Sequence, residues 1–322
     1  MNIVILGGAG MLGRKLGQLL ATRAELRGKA ITRLTLADVV KPDPIDVAAM
    51  AVDTVACDIA DPQAVARVIT PDCDVIFHLA AIPSAQAEAA FEAGMQANYF
   101  GSYNVLERCR TLGTQPVVVF SSTLAVFGGD VPDPITDASF LNPQTSYGSQ
   151  KAMVELLVND YSRRGFIDGR AFRLPTISIR PGAPNGAASS FMSSILREPL
   201  NGQEAICPVG RDFPHFYLSP RKCVENLVLG AEVPAEKLGQ NRAMTMPGLT
   251  LTIGQMIDAM TAVAGPDPAK LIRWESQPEI EAIVNGWRFD IHTDKALSLG
   301  LSADASFEDN VRYYLEDDLS QR

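Results

Sequence analysis

NIVILGGAGMLGRKLGQLLAT, residues 2–22, runs a strand, a glycine turn and a helix in immediate succession. Asn2 to Leu6 is a short β-branched and aliphatic run, and Met11 to Thr22 carries apolar residues at helical spacing. Between them Gly7, Gly10 and Gly13 stand in GxxGxxG spacing. The chain must turn sharply there, let backbone N–H groups approach an anion, and then pack a helix tightly on the sheet. Placed between strand and helix, the motif points to a dinucleotide, with Gly7, Gly10, Met11, Leu12 and Gly13 beside its pyrophosphate. The expected fold class is α/β, a doubly wound parallel sheet with a smaller C-terminal lobe. No basic region precedes the apolar run, so it reads as a first strand and not as a signal peptide.

Outward from this turn, the next apolar run, Ile31 to Ala37, ends in Asp38. A carboxylate there accepts hydrogen bonds from both adenosine ribose hydroxyls and repels a 2′-phosphate, which favours NAD over NADP. The plainer reading is a solvated Asp opening the loop that contains KPDP, Lys41 to Pro44. A third strand, Thr54 to Cys57, delivers Asp58 and Ile59, candidates for the adenine or simply a strand end. The fourth strand, Asp74 to Leu79, runs into Leu79, Ala80 and Ala81, where small side chains leave room for the cofactor across the sheet edge. His78 is assigned no chemistry. The segment Ser84 to Leu112 has helical spacing and carries Asn98, which either bonds a neighbouring carbonyl or holds a water near a lysine. The fifth strand, Pro116 to Ser121, presents Ser121, Ser122 and Thr123 at the carboxyl edge, where ligands bind in open α/β folds.

In NPQTSYGSQKAMVELL, Asn142 to Leu157, Tyr147 and Lys151 stand at i and i+4, so both side chains leave one helix face. With FSSTLAVFG at Phe120 to Gly128 and the glycine turn, the chain gathers a hydroxyl, a phenol and an ammonium near a nicotinamide. The alternative is a helix with a surface YxxxK. Taken together, GGAGMLG, Asp38, HLAA, SSTLAVFG and Tyr147-Gly-Ser-Gln-Lys151 resemble the extended short-chain dehydrogenase/reductase superfamily over at least residues 1–180.

That resemblance implies an NAD-binding Rossmann domain over residues 1–180 and a substrate lobe over 181–322, packed on the first. It implies that Thr123, third in the SST run, is the active hydroxyl, and that Asn98 matches the helix asparagine of the family's tetrad. Phe127 departs from the pattern, because many sugar-nucleotide members carry tyrosine there. A phenol is a poor base at neutral pH, but a lysine ammonium and a positive nicotinamide stabilise the phenolate. Tyr147 is then expected to take the substrate hydroxyl proton, Thr123 to hold the substrate oxygen, and Lys151 to double as a ribose-hydroxyl donor. Ser84 joins Thr123 and Tyr147 as a candidate substrate contact.

The chain of 322 residues has a formal charge of −9 and a pI near 4.9, which argues against nucleic acid or anionic membrane as a partner. No window approaches the ~18 consecutive apolar residues of a membrane span. Five scattered cysteines, Cys57, Cys73, Cys109, Cys207 and Cys223, with no CxxC pair, read as buried thiols in a reducing cytoplasm, and no metal is expected. After the strand-like GRAFRLPTISI, the chain becomes Pro- and Gly-rich, with arginines at 173, 180, 197, 211 and 221. An arginine fork would grip a carboxylate substrate, and Arg180, expected at the end of the sixth strand, is the first candidate. Asn185, Ser189, Ser190, His215 and Arg221 are secondary ones.

The final third reads as a strand (RAMTMPG), a capped helix from about Thr252, a strand (KLIRWE) and two closing helices, Thr293 to Leu299 and Ser306 to Leu315. TSYGSQK onward through RPGAPNGAASS, then MPG and VNGWRFD, narrow the resemblance to the members that oxidise D-erythronate. This implies NAD-linked oxidation of the 2-hydroxyl of a small sugar acid, by a homodimer paired through the helices at Ser84–Leu112 and Tyr147–Arg164. A nucleotide-sugar epimerase or a uronate dehydrogenase using the same Tyr147 and Lys151 is the alternative, and a non-catalytic NAD-sensing protein is the reading from another class.

Overall fold

The structure is a computed structural model that describes residues 1–45, 50–182 and 188–319. Its centre is a seven-stranded sheet in which every pairing is parallel. In chain order its strands are β1 (Asn2–Leu6), β2 (Arg33–Asp38), β3 (Ala51–Ala56), β4 (Val75–His78), β5 (Val117–Thr123), β6 (Asp168–Leu174) and β7 (Ala243–Thr245). Their spatial order is β7-β6-β5-β4-β1-β2-β3. The order reverses between β1 and β4, which opens a crevice at the carboxyl ends of those strands, the usual ligand position in a doubly wound sheet.

Residues alternate in side along each strand, and both sides are apolar because both are covered. On one face Ile3, Ile5, Phe77, Val119 and Phe172 pack against Leu16 and Leu20 of α1 (Met11–Arg23). Cys223, Val224 and Leu227 of the helix Pro220–Glu232 complete that face. On the other, Val4, Ile76, Val118 and Phe120 meet Val65 of α2 (Pro62–Val68), Val105 and Cys109 of α3 (Gly101–Leu112), and Val154 and Val158 of α4 (Ser146–Arg163). Chain after residue 200 thus supplies both a helix and the edge strand β7 to the central layers.

The rest of the C-terminal half builds a second core. Phe191, Ile195 and Leu196 of the helix Phe191–Leu200 pack with Ile253, Met256 and Met260 of the helix Ile253–Ala264, and with Phe307 and Val311 of the helix Phe307–Tyr314. A three-stranded sheet lies beside them: Pro214–Leu218 pairs antiparallel with Leu249–Thr252 and parallel with Thr176–Ile177.

Two expectations change in detail. The sixth strand does not run through GRAFRLPTISI: β6 stops at Leu174, and Thr176–Ile177 joins the small sheet instead. Pro175, with no N–H to donate, separates the two. Arg180 therefore lies beyond Ile177, past the end of the sixth strand. The segment 84–112 is also not one helix but Ser84–Ala89, Phe91–Gly94, a π-helical turn Met95–Phe100, and α3.

Candidate active site

The crevice is built first from backbone. Gly7 N–H and Gly8 N–H both donate to the Ala37 carbonyl, at 2.9 and 3.0 Å, which folds the turn over the end of β2. Gly7 has φ +89°, and a Cβ there would lie 2.7 Å from Ala80 N. A Cβ on Gly13 would come within 2.1 Å of the Gly7 carbonyl oxygen, so α1 can pack this closely only with glycine. Gly8, which the GxxGxxG spacing passes over, is as constrained: its Cβ would sit 2.8 Å from Leu36 Cβ. Gly10 is different. A Cβ there meets only the Gly7 oxygen at 3.3 Å; the residue is the N-cap of α1, no side chain caps the helix, and its first turn carries no acidic residue. Such a helix start offers its amides at Met11, Leu12 and Gly13 to an anion.

Asp38 ends β2 beside this turn. Its carboxylate accepts from Ala9 N–H at 3.0 Å and Val39 N–H at 2.8 Å, which fixes it against the glycine loop. Asp58 is exposed and accepts from Ala60 N–H at 2.9 Å, while Ile59 is buried against Gly101 of α3. At the end of β4, Leu79 N–H donates to the Leu6 carbonyl at 2.8 Å, and Ala80 and Ala81 follow, Ala80 against Gly7.

Asn98, on the π turn, is 1% exposed and has its amide engaged on both sides. Its oxygen accepts from Ile82 N–H at 2.9 Å; its Nδ2 donates to the Ile82 carbonyl at 3.2 Å and to Gln150 Oε1 at 2.8 Å. It joins the loop after β4 to the residue preceding Lys151. π turns of this kind recur at functional sites.

The side chains of the expected chemistry converge at the end of β5. Thr145 caps α4, accepting from Gly148 N–H at 3.1 Å. A Cβ on Gly148 would lie 2.2 Å from the Ala125 carbonyl oxygen, so glycine lets the start of α4 press on the turn that follows Thr123. Tyr147 is thereby brought toward Thr123, whose hydroxyl acts to lower the phenol. Lys151, 1% exposed, donates from Nζ to the Ser121 carbonyl at 2.8 Å and lies 4.6 Å from the Phe120 ring centroid and 5.7 Å from that of Tyr147.

The electrostatics of this cluster are those of desolvated groups. Burial pushes the Tyr147 phenol up to about 12, with the Thr123 hydrogen bond opposing it. Burial pulls the Lys151 amine down to about 7, opposed by the Glu155 carboxylate. His78 behind the site is held neutral, down to about 3, by burial and then by Lys151; its Nε2 shares a hydrogen bond with the Ser102 hydroxyl. Burial is the first cause for both groups.

The remaining candidates are more scattered. Ser84 starts the helix Ser84–Ala89 and is half-buried. Arg180 is half-buried; its N–H donates to the Ser193 hydroxyl at 3.2 Å, its carbonyl accepts from Arg197 Nη1 at 2.9 Å, and burial followed by Arg197 lowers its guanidinium. Ser189 and Ser190 lie in the turn Ala188–Ser190, and Asn185 falls outside the described residues. His215 is buried between the Tyr217 and Trp287 rings and hydrogen-bonds the Thr176 hydroxyl at 2.7 Å. Arg221 pairs with Glu316 and Asp317 and stacks 4.0 Å over Tyr313, anchoring the C-terminal turn. Arg211 pairs with Asp258. Among the described residues no group of three or more His, Cys, Asp or Glu could hold a metal ion.

Residues 3–215 match the NAD dependent epimerase/dehydratase family. The chain belongs to this family. A D-erythronate dehydrogenase from Cupriavidus necator is 49% identical over 321 residues, covering 98% of this chain and 98% of its own. A second D-erythronate dehydrogenase, from Haemophilus influenzae, is 40% identical over 322 residues, 99% of this chain and all of its own. The crystal structure of a nucleoside-diphosphate-sugar epimerase from Agrobacterium tumefaciens superposes with a TM-score of 0.95 at 45% identity, covering all of this chain and 95% of that one. The NAD on which this epimerase/dehydratase family depends fits the residues present: a glycine turn beside an uncapped helix start, with a fixed carboxylate at the end of the adjacent strand.

Proposed function

We propose that this chain is an NAD-dependent dehydrogenase that oxidises the 2-hydroxyl of D-erythronate to 2-dehydro-D-erythronate, in the breakdown of sugar acids. The observation that carries this reading is the pairing of two full-length relatives bearing that activity's name with a Thr123, Tyr147 and Lys151 cluster at the crevice. Residues 1–180 then form the dinucleotide domain and 181–322 the substrate lobe, with Pro220–Glu232 and β7 crossing back into the first.

Gly7, Gly10, Met11, Leu12 and Gly13 would hold the pyrophosphate, Asp38 the adenosine ribose, Asp58 and Ile59 the adenine, and Leu79, Ala80 and Ala81 the middle of the molecule. NAD supplies the hydride acceptor when bound. The protein's own task is the proton. Thr123 holds the substrate oxygen, and Tyr147, near it at the end of β5, accepts the hydroxyl proton. Lys151 contributes its positive charge to the phenolate and a donor to the nicotinamide ribose, and Asn98 fixes the wall beside it through Ile82 and Gln150. Arg180 follows the strand whose last residue, Leu174, is in register with Thr123, and so is the candidate for the carboxylate, with Ser84 and Ser189 as further candidates.

Formation of NADH from NAD and D-erythronate, compared with other four- to six-carbon aldonates and uronates and with Tyr147→Phe, tests this. A signal specific to D-erythronate and absent in the variant supports it. Silence across the panel with NAD binding intact refutes the free-acid substrate. The similarity to the nucleoside-diphosphate-sugar epimerase favours a second reading, and NAD that stays bound while a nucleotide sugar is epimerised without net NADH would select it.

We also propose a homodimer in the cytoplasm. Phe100, Tyr103 and Leu156 stand exposed on the neighbouring segments 95–112 and α4, where a second copy would cover them. All five cysteines are buried and free, as suits a reducing compartment.

A further inference from the structure

Glu155 is a buried carboxylate that the proton transfer described above does not use. It stands one turn beyond Lys151 on α4, so Tyr147, Lys151 and Glu155 recur at i, i+4 and i+8 along one face. The residue is 1% exposed, and its carboxylate is held from two other positions. Arg173 of β6 donates to it from Nε at 3.0 Å and from Nη2 at 2.8 Å. The hydroxyl of Ser122, next in sequence to the Ser121 whose carbonyl receives Lys151, donates to Oε1. Phe127 lies over the guanidinium, ring centroid 4.8 Å from its central carbon.

As a stabilising device this arrangement is poor. Both charges are stripped of water, and Arg173 Nη1 is buried with no partner among the described residues. A well-packed apolar pair in such a place is commonly as stable or more so. What an apolar pair could not supply is a fixed negative charge one turn from the lysine. The charged and titratable groups around Lys151 are Tyr147 and Glu155 on its own helix, His78 on β4, and Arg173 on β6 behind Glu155. His78 is neutral and Arg173 positive, so Glu155 is the carboxylate that favours a charged lysine.

We propose that Glu155 is a positioning residue of the site: its carboxylate, clamped by Arg173 and Ser122 under Phe127, keeps the buried Lys151 ammonium protonated so that it can act on the Tyr147 phenolate. The proposal rests on the dehydrogenase reading. It also gives Phe127 a task unrelated to substrate, as the cover of the Glu155–Arg173 pair. Burial already draws the Lys151 amine down to about 7 against the opposing pull of Glu155. Without that carboxylate the amine would be drawn lower still.

The experiment is the double variant Glu155→Gln/Arg173→Met, which removes both charges together and leaves no unpaired ion. Lys151 is titrated by NMR of labelled lysine, assigned by its loss in Lys151→Met, and the pH profile of kcat/KM is recorded beside it. The expected result is an acidward shift of the Lys151 titration by about one pH unit or more, a tenfold change in its protonation constant. The alkaline limb of kcat/KM should move with it, and Glu155→Asp, which keeps the charge, should restore both. A double variant that titrates and turns over like the wild type overturns the proposal, because a merely structural pair is replaced without consequence. Should the double variant not fold, Glu155→Gln beside Glu155→Asp decides: an acidward Lys151 titration in the first with a wild-type titration in the second supports the role, and a Lys151 that titrates as in the wild type in Glu155→Gln overturns it. If the wild type forms no NADH from any acid of the panel, it is the dehydrogenase reading that falls; an active wild type with an inactive Tyr147→Phe and an unmoved double variant removes only Glu155.

Discussion

Tyr147 meets its partners because three small features place it: the Thr145 cap, Gly148 pressed on Ala125, and the Thr123 hydroxyl at the end of β5. Tyr147→Phe deletes one oxygen and none of these. Loss of a positioned general base typically costs about a hundredfold to ten-thousandfold in rate. The expected outcome is that loss in NADH formation with NAD affinity unchanged by nucleotide titration; a Phe variant of near-wild-type rate would send the proton to another group. Tyr147 and Lys151 were legible in the sequence because i, i+4 spacing is local, and so was the turn at Gly7 and Gly13. Gly8 and Gly148 were not, since the clashes that demand glycine come from Leu36 and Ala125, outside their own motifs. Glu155 was in plain view one turn past Lys151, but its meaning depends on Arg173, brought alongside only by the pairing of β5 with β6.

At the scale of elements, the parallel sheet was readable because its strands are short, mostly apolar runs and β1, β3 and β4 are each followed by a helix. The segment 84–112 was harder. Apolar periodicity predicted one helix, and the chain instead breaks at Ala90 (φ −131°) and widens into a π turn at Met95–Phe100. A non-local attachment accounts for this: Asn98 holds the backbone of Ile82, after β4, and Gln150 of α4. Asn98→Ala strands the part-buried N–H and carbonyl of Ile82 together with the buried amide oxygen of Gln150. An unsatisfied buried group costs about 1–3 kcal/mol, so the variant should lose stability on that order in urea titrations. It should lose activity as well, because the wall beside Lys151 is released. A variant with the wild-type midpoint would show that Ile82 and Gln150 find other partners.

For the molecule as a whole, two buried histidines make the fold sensitive to acid. His78 in the Rossmann layers and His215 in the second core are each held down to about 3 from the ordinary 6.5, both chiefly by burial. The folded chain therefore refuses a proton that the unfolded chain takes up below 6.5. Their contribution is intact above that pH and is lost progressively as pH falls toward 3. The loss from pH 7 to 5 is about 2 kcal/mol per histidine, and a urea midpoint flat across that interval would contradict it. His215→Gln should reduce the slope even if it lowers stability at pH 7.

The proposed dimer is also a property of the whole chain. Leu156 is 62% exposed and Tyr103 39%, so an acidic side chain at either leaves the core untouched. A stable interface buries roughly 800 Å² on each partner, and a charge near its centre is left unpaired on assembly. Leu156→Glu is therefore expected to sediment as a monomer that keeps its thermal transition and its NAD affinity, while the wild type sediments as a dimer. A wild-type monomer would assign these exposed side chains to no partner copy. A dimer that survives both Leu156→Glu and Tyr103→Glu would place its interface on another face.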